Sequence, residues 1–128
     1  MVSVYLNHTI VSCRDQQRSA AFLTGILGLP PATRFGHFHV VEADNGVSLD
    51  FSETSSEFTP QHYAFLVGEQ EFDAAFGRIR EQGLDYWADP GRTRPGEVND
   101  RDGGRGVYFA DPDGHLLEII TRTYGSGR

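Results

Sequence analysis

Asp111-Pro112-Asp113-Gly114-His115-Leu116-Leu117-Glu118-Ile119-Ile120 is the stretch on which the fold of this chain turns. It opens with a tight turn: proline presets φ, and glycine supplies the positive φ that a chain reversal needs. A strand follows, with one anomaly. Glu118 sits among Leu116, Leu117, Ile119 and Ile120, where an ionised carboxylate is costly to bury without a positive partner. Two histidines, His8 and His62, stand in comparable apolar strands. A divalent metal joining the three is the expected resolution.

Working outward, the chain repeats itself. A shift of 54 carries His8-Thr9-Ile10-Val11 onto His62-Tyr63-Ala64-Phe65, and Ala20-Ala21-Phe22 onto Ala74-Ala75-Phe76. A shift of 68 carries Asn45-Gly46-Val47-Ser48-Leu49-Asp50-Phe51 onto Asp113-Gly114-His115-Leu116-Leu117-Glu118-Ile119. Each half carries one histidine on its first strand and one carboxylate on its last. Duplication of this kind fixes architecture: two α+β modules, about 1–54 and 60–124, related by a pseudo-twofold axis. His8, His62, Asp50 and Glu118 would then converge.

Hydrophobic spacing supplies the elements. Val2–Ser12 reads as a strand with Val4, Leu6, His8 and Ile10 on one face. Asp15 caps a helix to about Leu27 with a stripe of Ala21, Phe22, Ile26 and Leu29, stopped by Gly28. Phe35–Val41 and Val47–Ser52 are strands joined by an Asp44-Asn45-Gly46 turn. In the second half Gln61–Val67 is a strand. Gln70–Gln82 is a helix with Phe72, Ala75, Phe76 and Ile79 on one face. Asp85–Ala88 and Gly106–Ala110 are further strands. Asp89–Arg105 is irregular, and Tyr124–Arg128 is a frayed tail.

With 128 residues and a net charge of −7, the chain suits one domain with a real core and disfavours nucleic acid or an anionic membrane as partner. A single cysteine, Cys13, excludes an internal disulfide and fits a reducing cytoplasm. No signal peptide or membrane span is expected. Arg92, Arg94, Arg101 and Arg105 gather in a Gly-rich loop that could hold an anion.

Two imidazoles and one carboxylate on a sheet face form a facial triad that suits Fe(II), and equally Mn, Zn, Ni or Co. Asp50 is a fourth ligand or orients one of the three. On residue types alone, hydrogen-bonded histidines and a solvated glutamate remain the alternative. His8, Gln61-His62-Tyr63-Ala64-Phe65 and Asp111 through Glu118 together resemble the vicinal oxygen chelate superfamily. This group includes glyoxalase I, extradiol dioxygenases, fosfomycin-modifying enzymes and bleomycin-binding proteins. The resemblance covers about Val4 to Arg122. It implies an α+β fold of paired βαβββ modules curling into a cupped sheet, usually as a homodimer.

It also implies metal ligands at His8, His62 and Glu118, with Asp50 at the position of a further glyoxalase carboxylate. Tyr108, ten residues before Glu118, matches a tyrosine of the fosfomycin enzymes, although Ile10 stands where those carry threonine. The expected site therefore has Glu118 and Tyr108 as catalytic groups, and Tyr108, Trp87 and Arg92 against substrate. The cofactor is one divalent metal ion. The expected function is a cytoplasmic metal-dependent enzyme, a lyase, isomerase, dioxygenase or transferase. Its substrate would offer adjacent oxygens to the metal. The rival is an antibiotic-sequestering protein that stacks its ligand on Phe35, Phe38, Tyr86, Trp87 and Tyr108.

Overall fold

The computed structural model describes residues 3–127. The chain divides into two compact units, Met1–Phe58 and Thr59–Arg128. The first contains β1 (His8–Cys13), α1 (Gln16–Leu27), β2 (Thr33–Phe35), β3 (Phe38–Glu42) and β4 (Ser48–Glu53). Its sheet runs β1-β4-β3-β2, with β1 parallel to β4 and the other pairs antiparallel. The second contains β5 (His62–Leu66), α2 (Glu69–Glu81), β6 (Tyr86–Trp87), β7 (Gly106–Ala110) and β8 (Leu116–Ile120). Its sheet repeats the pattern as β5-β8-β7-β6. Each unit is thus a βαβββ module, and the fold is α+β.

The register of the two sheets is the same. Ile10 pairs with Asp50 and Asp50 with Val40. Ala64 pairs with Glu118 and Glu118 with Tyr108. These are the positions that the two sequence shifts superpose.

Local chemistry explains the elements. The Asp15 side chain accepts from the Arg18 amide at 3.0 Å and starts α1, while Gly28 at φ 70° ends it. The buried stripe of α1 is Ser19, Ala20, Leu23, Thr24 and Ile26, rotated from the expected one: Ala21 is exposed and Phe22 only half-buried. In α2 the buried residues are Phe72, Ala75 and Ile79, as the spacing predicts, and Phe76 meets Tyr86 edge-on at 5.0 Å. In the second sheet Val107, Phe109, Leu117 and Ile119 form a dry face. The turn before β8 is held by Asp111, whose Oδ1 accepts from the amides of Asp113 and His115 at 2.9 Å, with Gly114 at φ 87°.

Three further expectations change. The first strand begins at His8, and Val4, Tyr5 and Leu6 are exposed; Val2 lies outside the described residues. The expected strand Phe35–Val41 is a hairpin, β2 and β3, turned through Gly36 at φ 59° and His37. Residues 124–127 form a docked turn rather than a frayed tail; Arg128 lies outside the described residues.

Candidate metal centre

The second sheet gathers its chemistry on one face. Trp87 pairs with Tyr108, Tyr108 with Glu118, and Glu118 with Ala64, so all four point to the same side. His62 lies two residues before Ala64 and shares that side. Glu118 is fully buried and Tyr108 nearly so. The His62 ring stacks on that of Tyr108 with centroids 5.8 Å apart.

The proton inventory of this cluster is informative. His62 Nδ1 lies 2.9 Å from the Leu116 carbonyl oxygen. A carbonyl only accepts, so Nδ1 carries hydrogen and donates. In the neutral ring Nε2 is then an acceptor, and it faces Glu118 Oε1 at 3.1 Å. That contact is satisfied either by a proton on Nε2, which makes the pair a salt bridge, or by a metal ion that both atoms ligate. An imidazole nitrogen plus a carboxylate oxygen is a donor set that borderline divalent metals favour. The residues present therefore fit a metal ion.

The other carboxylate oxygen is occupied. Tyr124 Oη donates to Glu118 Oε2. Its single proton is spent there, so Tyr108 Oη, 3.0 Å from Tyr124 Oη, donates to it. Arg101 Nη1 in turn donates to Tyr108 Oη at 2.7 Å and to Tyr124 Oη at 3.1 Å, and stands 4.0 Å from Glu118 Oε2. Every proton in the relay points toward Oε2. Desolvation, then the hydrogen bond to Glu118, push the Tyr124 phenol above its ordinary value. The Arg101 guanidinium is held charged first by its bond to Tyr108. Tyr124 and Arg101 complete the cluster, yet neither was among the expected site residues. Tyr124 follows Glu118 by six residues, and only the glycines after it hint at a return.

In the first unit, His8 and Asp50 line one cavity of about 510 Å³ with Ile10, Phe35, Phe38 and Val40. His8 Nδ1 is 2.6 Å from Asn7 Oδ1, which again leaves Nε2 as the free acceptor. Asp50 Oδ1 accepts from Ser48 Oγ at 3.2 Å. Among the described residues, no three His, Cys, Asp or Glu side chains come together as a metal site.

The four loop arginines do not form one anion site. Arg94 pairs with Glu97, Arg105 with Glu69 and Asp73, and Arg101 with the tyrosines. Arg92 lies over the Trp87 ring, 4.7 Å from its centroid. Tyr86 packs on Phe76, on the sheet face opposite Trp87, so it leaves the expected aromatic set. His115 is buried; its Nδ1 accepts from the Gln61 amide at 2.8 Å, the tautomer opposite to that of His62.

A repeated βαβββ module with a histidine and a buried glutamate on its second sheet defines a class of metal-dependent enzyme. The family model of the Glyoxalase/Bleomycin resistance protein/Dioxygenase superfamily matches residues 5–119, and the chain belongs to that superfamily. The solved structure of the oxidase ChaP-H1 is similar, with 64% identity, a TM-score of 0.94, and cover of 96% of this chain and 99% of that one. The glutathione transferase FosA of Serratia marcescens is 31% identical over 120 residues, 89% of this chain and 78% of the relative. A mutant FosX of Listeria monocytogenes, solved with Mn(II) and 1S,2S-dihydroxypropylphosphonic acid, is 25% identical, with a TM-score of 0.70 and cover of 99% and 96%. The chain is accordingly a metal-dependent enzyme of the vicinal oxygen chelate type, acting on a small molecule with a divalent metal ion as cofactor. No helix among the described residues is long and apolar enough to cross a membrane.

Proposed function

We propose that this chain is a metal-dependent oxidase of an oxygen-bearing, largely apolar small molecule, working as a cytoplasmic homodimer. The observation that carries it is the meeting of His62 Nε2 and the buried Glu118 Oε1 at 3.1 Å, a donor pair that a borderline divalent metal favours. His62 and Glu118 hold the ion. His8 supplies the third ligand, and Asp50 either joins it or orients it. When bound, the ion supplies Lewis-acid activation of two neighbouring substrate oxygens.

The side chains do the rest. Trp87 walls the site, and its plane suits an aromatic face. Arg92 lies over that ring and reads an anionic or carbonyl group at the site's margin. Tyr108 stacks on the His62 ring and, with Arg101, holds the Tyr124 hydroxyl against Glu118. The similarity to ChaP-H1 supports the oxidase class.

Metal analysis of protein purified without added metal tests the site. We expect about one ion per chain, lost in His8→Ala, His62→Ala and Glu118→Ala. Oxygen uptake with catechol-like and polycyclic phenolic substrates, run beside fosfomycin plus glutathione, tests the reaction. Full occupancy in His62→Ala and Glu118→Ala ends the metal assignment, and thiol consumption without oxygen uptake moves the reaction to transfer. Mixing His8→Ala with Glu118→Ala chains restores metal only if each site draws on both subunits of a dimer.

A further inference from the structure

We propose that Tyr124 is a positioning residue. Clasped by Arg101 and Asp102, it occupies Oε2 of Glu118 and leaves Oε1 as the one oxygen presented to the metal. The proposal rests on the reading of Glu118 as a ligand and goes beyond it, because a carboxylate with both oxygens free can chelate through either or both. Here the choice is made by the protein. Glu118 is fully buried, so neither oxygen is left to bulk water, and Oε2 takes the proton of Tyr124.

The tail that carries Tyr124 is built to hold it there. The Asp102 carboxylate accepts from the Gly125 amide at 3.0 Å and the Gly127 amide at 3.1 Å. Arg122 donates to the Ser126 carbonyl at 3.1 Å. Asp102 itself sits at φ 57°, a left-handed backbone that Asn and Asp tolerate better than most residues. A Cβ on Gly127 would fall 2.4 Å from the Asp102 backbone, so only glycine allows the tail to lie this close. Arg101, next in the chain, holds the Tyr124 hydroxyl from the other side. More than half of Tyr124 is exposed. Its ring contributes little to the core, and its hydroxyl is the part with a structural partner. Groups that hydrogen-bond a ligating carboxylate orient it and tune the affinity of the ion.

The test is titration of metal-stripped protein with Co(II) alone, followed by its visible absorption, for wild type, Tyr124→Phe, Asp102→Asn and Glu118→Ala. Tyr124→Phe keeps the ring and removes only the hydroxyl. We expect it to weaken Co(II) binding about 10–100-fold and to change the absorption envelope, because the freed oxygen alters the ligand field. Asp102→Asn keeps Tyr124 and the left-handed backbone but loosens the clasp, and should shift affinity in the same direction by less. It also carries the test should Tyr124→Phe fail to fold. Glu118→Ala should abolish binding. If Glu118→Ala binds Co(II) like wild type, the ligand assignment fails, and positioning with it. If Glu118→Ala loses Co(II) while Tyr124→Phe and Asp102→Asn match wild type in affinity and spectrum, positioning alone is overturned.

Discussion

Replacing Glu118 by glutamine probes the metal centre through stability rather than activity. Oε1 and His62 Nε2 lie 3.1 Å apart, and with a neutral imidazole neither atom carries a proton. Glutamine keeps the shape. Its carbonyl oxygen can accept from Tyr124, and its amide nitrogen can donate to His62 Nε2. One buried charge is removed and a mismatched contact becomes a hydrogen bond. With a neutral His62, the glutamine loses the desolvation cost of an ionised carboxylate and gains a hydrogen bond worth about 1 kcal/mol net. The opposing loss is the Arg101 contact at 4.0 Å, which is weak because that side chain is 41% exposed. Tyr108 and Tyr124 keep each other as partners, so no buried group is orphaned. The net expectation is about 1–3 kcal/mol of added stability. At about 2.1 cal/mol/K of unfolding entropy per residue, a chain of this length gains about 4 °C in Tm per kcal/mol, hence about 4–11 °C. Scanning calorimetry in EDTA at about pH 8, where an imidazole is ordinarily neutral, reads this directly. The same variant should lose the stabilisation that added Mn(II) gives the wild type. A Tm in EDTA equal to or below that of wild type would refute the reasoning, because it would mean that a proton already satisfies the pair.

Two other perturbations follow from single contacts. Asp111→Ala removes the acceptor for two backbone amides in the turn before β8. It should cost about 1–2 kcal/mol, with metal stoichiometry unchanged and Asp111→Asn recovering most of the loss; denaturant unfolding measures it, and loss of metal instead would tie the turn to the site. Asp89 accepts from the side chain and amide of Thr93 and the amide of Arg94, and its pKa is lowered, first by the Thr93 hydroxyl. A depressed carboxylate stabilises the fold above its unfolded pKa and loses that contribution as pH falls through the lower folded value. The Asp89 carboxyl carbon should therefore titrate by NMR below the ordinary aspartate range. A midpoint inside that range would mean that the loop is open in solution.

What could be read from the sequence was what depends on near neighbours. The apolar run Leu116–Ile120 after its turn and the spacing of Phe72, Ala75 and Ile79 are local signals, and the internal shifts already place Asp50 and Glu118 in one register. The α1 stripe was misread because two of its buried members, Ser19 and Thr24, are polar. Thr24 is satisfied locally by the Ala21 carbonyl, which a hydrophobicity pattern does not see. The hairpin at Gly36 and His37 is marked by a single glycine only, without the Asn-Gly or Asp-Gly pair that usually announces a tight turn. Tyr124 was out of reach for a different reason. Its place depends on Asp102, more than twenty residues earlier in the chain, and on a left-handed turn that no periodicity announces.

The duplication also explains why one carboxylate is a stronger ligand candidate than its counterpart. Asp50 and Glu118 occupy equivalent register positions, but their cross-strand neighbours have diverged. Asp50 lies between Ile10 and Val40, and Ser48 donates to it. Glu118 lies between Ala64 and Tyr108, and the small Ala64 leaves room on that row for the larger groups around it. The extra methylene of glutamate carries its oxygens farther from the backbone, to where both His62 and Tyr124 meet them. A buried carboxylate is tolerable only with such partners. The second module therefore has a carboxylate with a fixed orientation and a histidine with a fixed tautomer, while the first offers an open apolar cavity with a histidine at its edge. The two modules have thus diverged around one shared register. Exchanging Val40 for tyrosine would crowd the first-unit cavity without re-creating the relay, because no equivalent of the Arg101-Asp102 clasp exists among the described residues of the first unit.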